Sequence, residues 1–257
     1  MSLQGQTVIV TGGSSGIGKA IARRLCQEGA NVVITGRNAD RLEAAKVELE
    51  ELPGKVFPFQ MDVREVDQVK AMVQKTVEQF GGIDHLVNNA AGNFVVPAED
   101  LTYNGWHSVI NIVLNGTWYC SQAVAKEWIE KKRKGSILNI VATYAWTGAP
   151  GVVHSAAAKA GVLAMSRTLA VEWGDKYGIR VNCIAPGPIE ETGGAAKLVA
   201  NEKMAKKVAN MVPLKRYGRP EEIAALAKFL LSAEAEYING ECVTMDGGLW
   251  MANFRFL

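Results

Sequence analysis

Three side chains near the middle of the chain have types that could do redox or nucleophilic chemistry. Tyr144 follows a short apolar run, Ile137 to Val141, and Ser155 and Lys159 come later, four residues apart. Residues four apart share one face of a helix, so Ser155 and Lys159 should point the same way. Such a pair could act as nucleophile and base, or it could be an ordinary polar pair on a surface helix.

The elements around these residues should bring them into one cleft. The run Ile137 to Val141 has the composition of a buried parallel strand. A glycine- and proline-containing loop follows, and the stretch from His154 to Trp173 carries Ala, Leu and Met at helical spacing. Strand, loop and helix in this order can bring Tyr144, Ser155 and Lys159 together.

The bulk composition favours one large soluble domain spanning residues 1–257. The chain has 257 residues, of which 48% are hydrophobic and 21% charged, and its α/β pattern has no linker or repeat. The net charge of +2 gives no strong field that would attract nucleic acid. The basic run Lys131 to Lys134 is expected to be a solvated loop.

Cysteine usage and the chain termini predict a cytoplasmic protein with no membrane association. The four cysteines form no CxxC pair, and the three histidines have no metal-ligand spacing, so we expect reduced thiols and no metal site. The first strand begins by Thr7, which leaves no room for a signal peptide. No apolar run reaches the ~18 residues of a membrane span, and the terminal FRFL is not a peroxisomal address.

The sharpest local signal is TVIVTGGSSGIGKAIARRLCQEG, which begins at Thr7. An apolar strand precedes a glycine-rich turn, and helical periodicity follows from Ile17 to Glu28. Glycines allow a phosphate to approach the backbone, and the helix N-terminus supplies free N–H groups. The spacing is GxxxGxG, and the alternative is a turn that binds nothing. The expected cofactor contacts here are Gly12, Ser14, Ser15, Gly16, Ile17 and Gly18.

The tip of the second strand should select the cofactor. That strand, Asn31 to Thr35, is followed by Gly36 and Arg37, where an acid would hold the ribose of NAD. A guanidinium suits a phosphate through a forked contact, so Arg37 predicts NADPH, although it could simply be an exposed arginine. After the third strand come Asp62, Val63 and Arg64, which could meet the adenine or the 2′-phosphate.

Small and amide residues follow the later strands, where a cofactor would lie in the crevice. The segment NNAAGNF from Asn88 to Phe94 contains Asn89 and Ala90, which are expected to contact the cofactor, unless the segment only shapes a turn. A long helix is expected from Trp106 to Lys132. Asn is a poor residue inside a helix, so Asn115 should bond a buried group.

The last third of the chain should complete the cleft. A strand from Ile179 to Ile184 leads into APGPI, whose Pro186, Gly187 and Ile189 are expected to contact the cofactor. The lysine-rich segment 190–212 is interpreted as a mobile lid containing a helix. A helix from Pro220 to Leu231 and a last strand from Glu241 to Met245 precede a glycine-rich end, Asp246 to Gly248.

Taken together, TGGSSGIG, NNAAG, the unit around Lys159, APGPI and MDGG resemble the short-chain dehydrogenase/reductase family over nearly the whole chain. The resemblance implies a Rossmann-type α/β fold with a doubly wound, parallel, seven-stranded sheet, a nicotinamide cofactor and a homotetramer. Lys159 matches the family lysine that binds the nicotinamide ribose, and Asn115 matches the family's helix asparagine.

The chain departs from that family at two positions. The family has an acid/base tyrosine four residues before the lysine and a helper serine thirteen residues earlier, where this chain has Ser155 and Ala142. A serine at position 155, together with the motifs NAAGNF, LNGT and YAxTG, resembles the NADPH-dependent 2,4-dienoyl-CoA reductases of that family. The trans-2-enoyl-CoA reductases are the nearest alternative. The resemblance implies hydride addition to the δ-carbon of a dienoyl thioester and protonation at the α-carbon, giving a 3-enoyl-CoA.

Residue chemistry is compatible with that reaction. Hydride addition sends negative charge to the thioester oxygen, where the Tyr144 hydroxyl and the Asn93 amide could donate. Ser155 would then bond the cofactor or a catalytic water, and Lys159 would fix the ribose. Two other classes stay open, namely a cofactor-binding regulator without turnover and a carbonyl reductase that uses Tyr144 as its acid.

Partner surfaces can also be predicted. On the helix 154–175, a second apolar side that includes Ala157, Leu169 and Trp173 could meet another subunit. The lid is expected to cover an acyl-CoA substrate. Its lysines could meet the CoA phosphates, or they could be solvated helix charges; they include Lys197, Lys203, Lys206 and Lys207.

Overall fold

The computed structural model of the chain describes residues 3–190 and 202–252. The strands of its sheet are β1 (Thr7–Thr11), β2 (Asn31–Gly36), β3 (Val56–Gln60), β4 (His85–Asn88), β5 (Ser136–Ile140), β6 (Arg180–Pro186) and β7 (Cys242–Met245). The seven strands pair in the order β3-β2-β1-β4-β5-β6-β7, and every neighbouring pair is parallel. The predicted seven-stranded parallel sheet is therefore confirmed.

Helices cover both faces of this sheet. They are α1 (Gly16–Gln27), α2 (Ala39–Leu49), α3 (Val66–Phe80), α4 (Tyr103–Ile110), α5 (Gly116–Glu130), α6 (Tyr144–Thr147), α7 (Val153–Tyr177), α8 (Glu202–Met211) and α9 (Pro220–Leu231). Helices α1, α2 and α9 share one apolar core with the sheet, and α3, α5 and α7 share the other. The fold is the doubly wound Rossmann type that the motifs predict.

Strand β1 shows why its sequence folds this way. Val8 and Val10 pack into the core beneath α1, whereas Ile9 between them packs into the opposite core. Successive side chains of a strand point to opposite faces, so a strand buried on both sides must be apolar at every position. Because β2 and β4 flank β1, the strand order reverses here, and a crevice opens at the carboxyl ends of the strands.

The long helix predicted from Trp106 to Lys132 is divided in the structure. It begins at Tyr103 as α4, passes through a π-helical turn at Asn111–Asn115, and continues as α5 to Glu130. The Asn115 side chain donates to Asn111 Oδ1 at 2.9 Å, and both residues are half-buried. Asn115 therefore has the hydrogen-bond partner that was expected, although this partner, Asn111, is half-buried rather than buried.

The prediction for helix α7 was wrong in part. Leu169 and Trp173 are 6% and 8% exposed and belong to the chain's own core. Trp173 stacks on Trp118 of α5, with ring centroids 6.4 Å apart. Helix α7 packs on the sheet next to α5, which buries these two side chains. Ala157 is exposed as expected, and so are the apolar residues Val153 and Val171.

The predicted lid lies only partly within the described residues. Helix α8 confirms that the segment 190–212 contains a helix, whereas residues 191–201, with Lys197, lie outside the described part, as does the terminal FRFL. Within the described residues, no helix is long and apolar enough to cross a membrane.

Candidate active site

The glycine-rich turn after β1 forms a cradle that side chains would block. A Cβ on Gly18 would lie 2.3 Å from the Gly12 carbonyl oxygen and 2.4 Å from Asn89 Nδ2, and Gly12 has a φ of +66°. Helix α1 begins at Gly16, its N-cap Ser15 makes no side-chain bond to the helix, and its first turn holds no acid. Open N–H groups and an unopposed helix dipole fit the diphosphate of the expected dinucleotide.

The NNAAG segment after β4 holds the glycine-rich turn through hydrogen bonds. Asn89 Nδ2 donates to the carbonyl oxygens of Thr11 and Gly12, at 3.0 and 3.2 Å. Thr11 Oγ1 accepts from the backbone N–H groups of Asn89 and Ala90, both at 3.0 Å. The Asn89 side chain therefore acts on the cofactor site by holding the turn in shape.

The expected adenine end carries two arginines and one carboxylate. Arg64 forms an ion pair with Asp62, with Nη2 and Oδ2 2.6 Å apart, and its Nε donates to the same carboxylate. These bonds, together with the nearby charge of Arg37, hold the pKa of Asp62 below its usual range despite partial burial. Arg64 therefore supplies the main countercharge of Asp62, and Arg37 at the tip of β2 contributes a smaller effect.

A chain of buried polar side chains joins strands β4 and β5 to helices α5 and α7. Asn88 on β4 donates to Ser121 of α5 and to its in-register neighbour Asn139 on β5, both at 2.9 Å. Asn139 in turn donates to Ser166 Oγ on α7 at 2.7 Å. Buried donors and acceptors are costly unless they are paired, so this chain sets the position of α7 against the sheet.

The structure brings Tyr144, Ser155 and Lys159 to the carboxyl edge of β5. The Tyr144 hydroxyl lies 3.1 Å from Ser155 Oγ, and Lys159 Nζ donates to the backbone carbonyl of Ile140. Ser155 and Lys159 are buried and lie on the same face of α7, so the alternative of a polar pair on a surface helix is wrong. Ala142, at the position of the family's helper serine, is buried and offers no polar side chain.

Burial sets the protonation of this group. Desolvation raises the pKa of Tyr144, opposed by its bond to Ser155, so the phenol keeps its proton at neutral pH. Desolvation lowers the pKa of Lys159 to about 8, with a smaller opposing effect from Cys183. The site thus presents a neutral phenol as donor and an ammonium that titrates close to physiological pH.

Asn93 lies in the loop after β4, beside the loop that carries Tyr144. The two loops are joined where the Val96 N–H donates to the Gly151 carbonyl at 3.0 Å. The Asn93 side-chain oxygen accepts from the Phe94 N–H at 2.9 Å. That bond commits the oxygen, so the amide nitrogen is the end that can donate to a ligand.

The loop after β6 packs tightly against the end of β7. A Cβ on Gly187 would lie 2.6 Å from Asp246 Cβ, and the Gly187 N–H donates to the Met245 carbonyl at 3.0 Å. Pro186 ends β6, and the Ile189 side chain is buried in the core shared with α9. Any contact of Ile189 with a cofactor would therefore come from its backbone.

The matched family model, described as enoyl-(acyl carrier protein) reductase, spans residues 12–250. The glycine-rich turn, the lysine on α7 and strands β2 to β7 lie within that span, and β1 ends directly before it. The chain belongs to the short-chain dehydrogenase/reductase family. The family expectation drawn from the sequence motifs is confirmed.

Relatives within the family include dienoyl-CoA reductases. A Bacillus subtilis protein named a probable 2,4-dienoyl-CoA reductase, (2E)-enoyl-CoA-producing, is 59% identical over 99% of this chain and 100% of its own length. A Danio rerio peroxisomal 2,4-dienoyl-CoA reductase, (3E)-enoyl-CoA-producing, is 39% identical over 98% of this chain and 83% of its own. The crystal structure of a Bacillus anthracis short chain dehydrogenase matches with a TM-score of 0.94 and 61% identity, covering 99% of this chain and 100% of that one.

Several residues that hold the site of this short-chain reductase in place were not identified from the sequence. Thr11, Asn139 and Ser166 hold the cofactor turn and α7 in place, and Asp246 fixes the turn after β7. A polar residue at the end of an apolar strand was the available signal for Thr11 and Asp246. Across residues 3–190 and 202–252, no cluster of His, Cys, Asp and Glu could hold a metal ion.

Proposed function

We propose that this short-chain reductase is an NADPH-dependent reductase of 2,4-dienoyl-CoA thioesters. The main supporting observation is the position of the Tyr144 phenol, which is half-buried and lies 3.1 Å from Ser155 Oγ. Ser155 itself occupies the position of the family's acid/base tyrosine. A neutral donor placed beside α7 suits an oxygen that gains negative charge without taking a proton. The name of the Bacillus subtilis relative supports the substrate class.

Bound NADPH would supply the hydride, which adds to the δ-carbon of the dienoyl group. The electron pair of the γ,δ double bond is displaced through the conjugated system to the thioester oxygen. Tyr144 and Asn93 then donate hydrogen bonds to that oxygen and stabilise the charge. Ser155 accepts from or donates to the Tyr144 hydroxyl and holds it in place, while Lys159 holds the ribose and Asn115 supports the helix beside it.

Collapse of the dienolate, with a proton from water, gives the product. Protonation at the α-carbon gives the 3-enoyl-CoA that the motif resemblance implies, and protonation at the γ-carbon gives a 2-enoyl-CoA. The two named relatives differ on this point, because the Bacillus subtilis name specifies the (2E) product and the Danio rerio name the (3E) product. Either outcome uses the same hydride addition and the same two donors.

A second candidate is a reductase of trans-2-enoyl thioesters. The description of the matched family model, enoyl-(acyl carrier protein) reductase, favours it. Hydride addition at the β-carbon would again send charge to the thioester oxygen, so Tyr144 and Asn93 would serve unchanged. The two candidates differ in substrate, not in the residues that stabilise the transition state.

The deciding experiment is NADPH oxidation by the purified protein with a panel of thioesters and ketones, followed by mass spectrometry and NMR of the products. We expect turnover of 2,4-dienoyl-CoA, and the position of the remaining double bond identifies the protonated carbon. Turnover of only 2-enoyl-CoA would establish the second candidate. Formation of an alcohol from a ketone, or cofactor binding without turnover, would contradict both.

Substrate coverage and assembly complete the proposal. Helix α8 carries exposed Lys203, Lys206 and Lys207, and we propose that they meet the CoA phosphates. Binding of CoA thioesters should therefore be tighter than binding of pantetheine thioesters.

We also propose a cytoplasmic homotetramer. Light scattering that finds only monomer at micromolar concentration would contradict this assembly.

A further inference from the structure

Two half-exposed tryptophans form a contact at the mouth of the cleft. The rings of Trp146 and Trp250 meet edge to face, with centroids 6.0 Å apart and planes at 89°. They are 39% and 38% exposed. Paired aromatic rings that still present this much surface to water are a natural binding surface for an apolar group.

The turn after β7 holds Trp250 in place. The Asp246 carboxylate, itself buried, accepts from the backbone N–H groups of Gly248 and Trp250 at 2.8 and 2.7 Å. Asp246 also packs against Gly187 in the loop after β6. The backbone of Trp250 is therefore fixed relative to the loop after β6 that is expected to contact the cofactor.

Trp146 comes from the segment between β5 and α7. It lies on α6, two residues after Tyr144, so the ring pair links the loop after β5 to the turn after β7. Nearby, Val95 packs against Gly151 and is 55% exposed, and Met251 next to Trp250 is 64% exposed. These apolar side chains belong to the segments that follow β4, β5 and β7 at the carboxyl edge of the sheet, the same edge at which Tyr144 and Asn93 lie.

We propose that the Trp146–Trp250 pair is the wall that binds the alkyl tail of the substrate and sets its preferred chain length. This inference rests on the proposed function. The alkyl tail is the occupant because the wall is continuous with the Tyr144 loop and because its side chains are apolar. Each methylene buried against it is expected to contribute roughly a fourfold gain in affinity.

The test compares a six-carbon with a ten-carbon 2,4-dienoyl-CoA by kcat/KM. In the wild type we expect the longer substrate to be preferred by roughly tenfold or more. Trp146→Ala and Trp250→Ala should reduce that preference to roughly twofold, because the ten-carbon substrate should lose more of its kcat/KM than the six-carbon substrate does. Tyr237→Ala is the matched control, because Tyr237 is a fully exposed aromatic on another surface and its loss should change neither value.

Other outcomes would overturn the inference. Equal losses on both substrates would mean that the pair supports the catalytic loops. An unchanged preference together with a changed light-scattering mass would assign the pair to a subunit contact. If the alanine variants fail to fold, Trp146→Phe and Trp250→Leu should lower the ratio by a smaller amount, and no change would overturn the inference. Should the wild type reduce only 2-enoyl-CoA, the same ratio measured with enoyl thioesters still tests the wall separately from the dienoyl assignment.

Discussion

The Tyr144 hydroxyl lies 3.1 Å from Ser155 Oγ, across the gap between the short helix α6 and the first turn of α7. In the family pattern the acid/base phenol stands on α7 itself, at position 155. Here α7 supplies only a hydroxyl, and the phenol arrives from the neighbouring loop. The phenol and the lysine therefore come from different elements, with Tyr144 on α6 and Lys159 on α7.

Tyr144→Phe is expected to lower kcat on a 2,4-dienoyl-CoA by about 100-fold or more, because it deletes one oxyanion donor and keeps the ring. Asn93→Ala should have a similar effect. Affinity for NADPH, measured by fluorescence titration, should stay within about twofold, since neither side chain is placed on the cofactor. Wild-type kcat in Tyr144→Phe would contradict the assignment.

Ser155→Ala provides the comparison for that result. It removes the partner of the Tyr144 hydroxyl but leaves both proposed donors, so kcat should fall by about tenfold or less. Steady-state kinetics with the same substrate measure it. A larger loss in Ser155→Ala than in Tyr144→Phe would return the central role to the serine.

Arg37→Asp is expected to reverse the cofactor preference. The substitution removes the charge available to a 2′-phosphate and places a carboxylate where a ribose hydroxyl would bind. NADPH binding should weaken by about 100-fold, and NADH binding should be equal or tighter. Isothermal titration calorimetry with both cofactors measures these affinities. Arg41→Asp, four residues later on α2, is the control. Equal binding of NADH and NADPH by the wild type would contradict the role of Arg37.

The fold could be predicted because its signals are local. The alternation that buries Val8 and Val10 on one face and Ile9 on the other is written in consecutive residues. The glycine at position 18 can likewise be interpreted from the sequence, because only glycine allows the backbone there to lie so close to the Gly12 carbonyl. Signals of this kind need no knowledge of distant contacts.

The features that could not be predicted from the sequence depend mainly on packing between distant segments. Helical periodicity identified Trp173 as apolar but could not tell a partner subunit from Trp118, which lies 55 residues earlier in the sequence and stacks on it. Asp62 and Arg64 are close in sequence, but their ion pair depends on side-chain orientation, which the sequence does not specify. The contact between Trp146 and Trp250 joins residues 104 positions apart, and no sequence pattern indicates it.

His85 is expected to destabilise the fold in acid. It is buried on β4 beside Gln6, and desolvation lowers its pKa to about 4, with Asp84 opposing that shift and Arg180 adding to it. The unfolded chain binds a proton near pH 6.5, so between pH 6.5 and 4 it binds more protons than the folded protein. Stability should therefore fall as the pH drops through this window, by about 3 kcal/mol at most.

Urea unfolding of the wild type and His85→Gln between pH 7 and 4 measures this contribution. The glutamine does not titrate, so the difference in unfolding free energy between the two proteins should shrink or reverse as the pH falls. His107→Gln is the control, because His107 is exposed and should leave the pH profile unchanged. Parallel profiles for wild type and His85→Gln would contradict the prediction.

Lys159 should make cofactor binding sensitive to alkaline pH. Burial lowers its pKa to about 8, so the unliganded protein loses this proton as the pH rises above 8. The phosphates of NADPH favour the ammonium form, and a ribose hydroxyl needs its N–H donors, so the pKa should be higher in the complex. NADPH affinity should therefore be constant below pH 8 and fall above it, by at most about tenfold per pH unit.

Fluorescence titration of NADPH between pH 7 and 10 tests this behaviour. Lys159→Met should bind NADPH more weakly at pH 7 and show a flat profile, because the neutral side chain has no proton to lose. Lys203→Met, on the exposed helix α8, should reproduce the wild-type curve. If affinity fell equally above pH 8 in Lys159→Met, the titrating group would be another residue. A flat wild-type profile would instead mean that the ammonium of Lys159 is not required for binding.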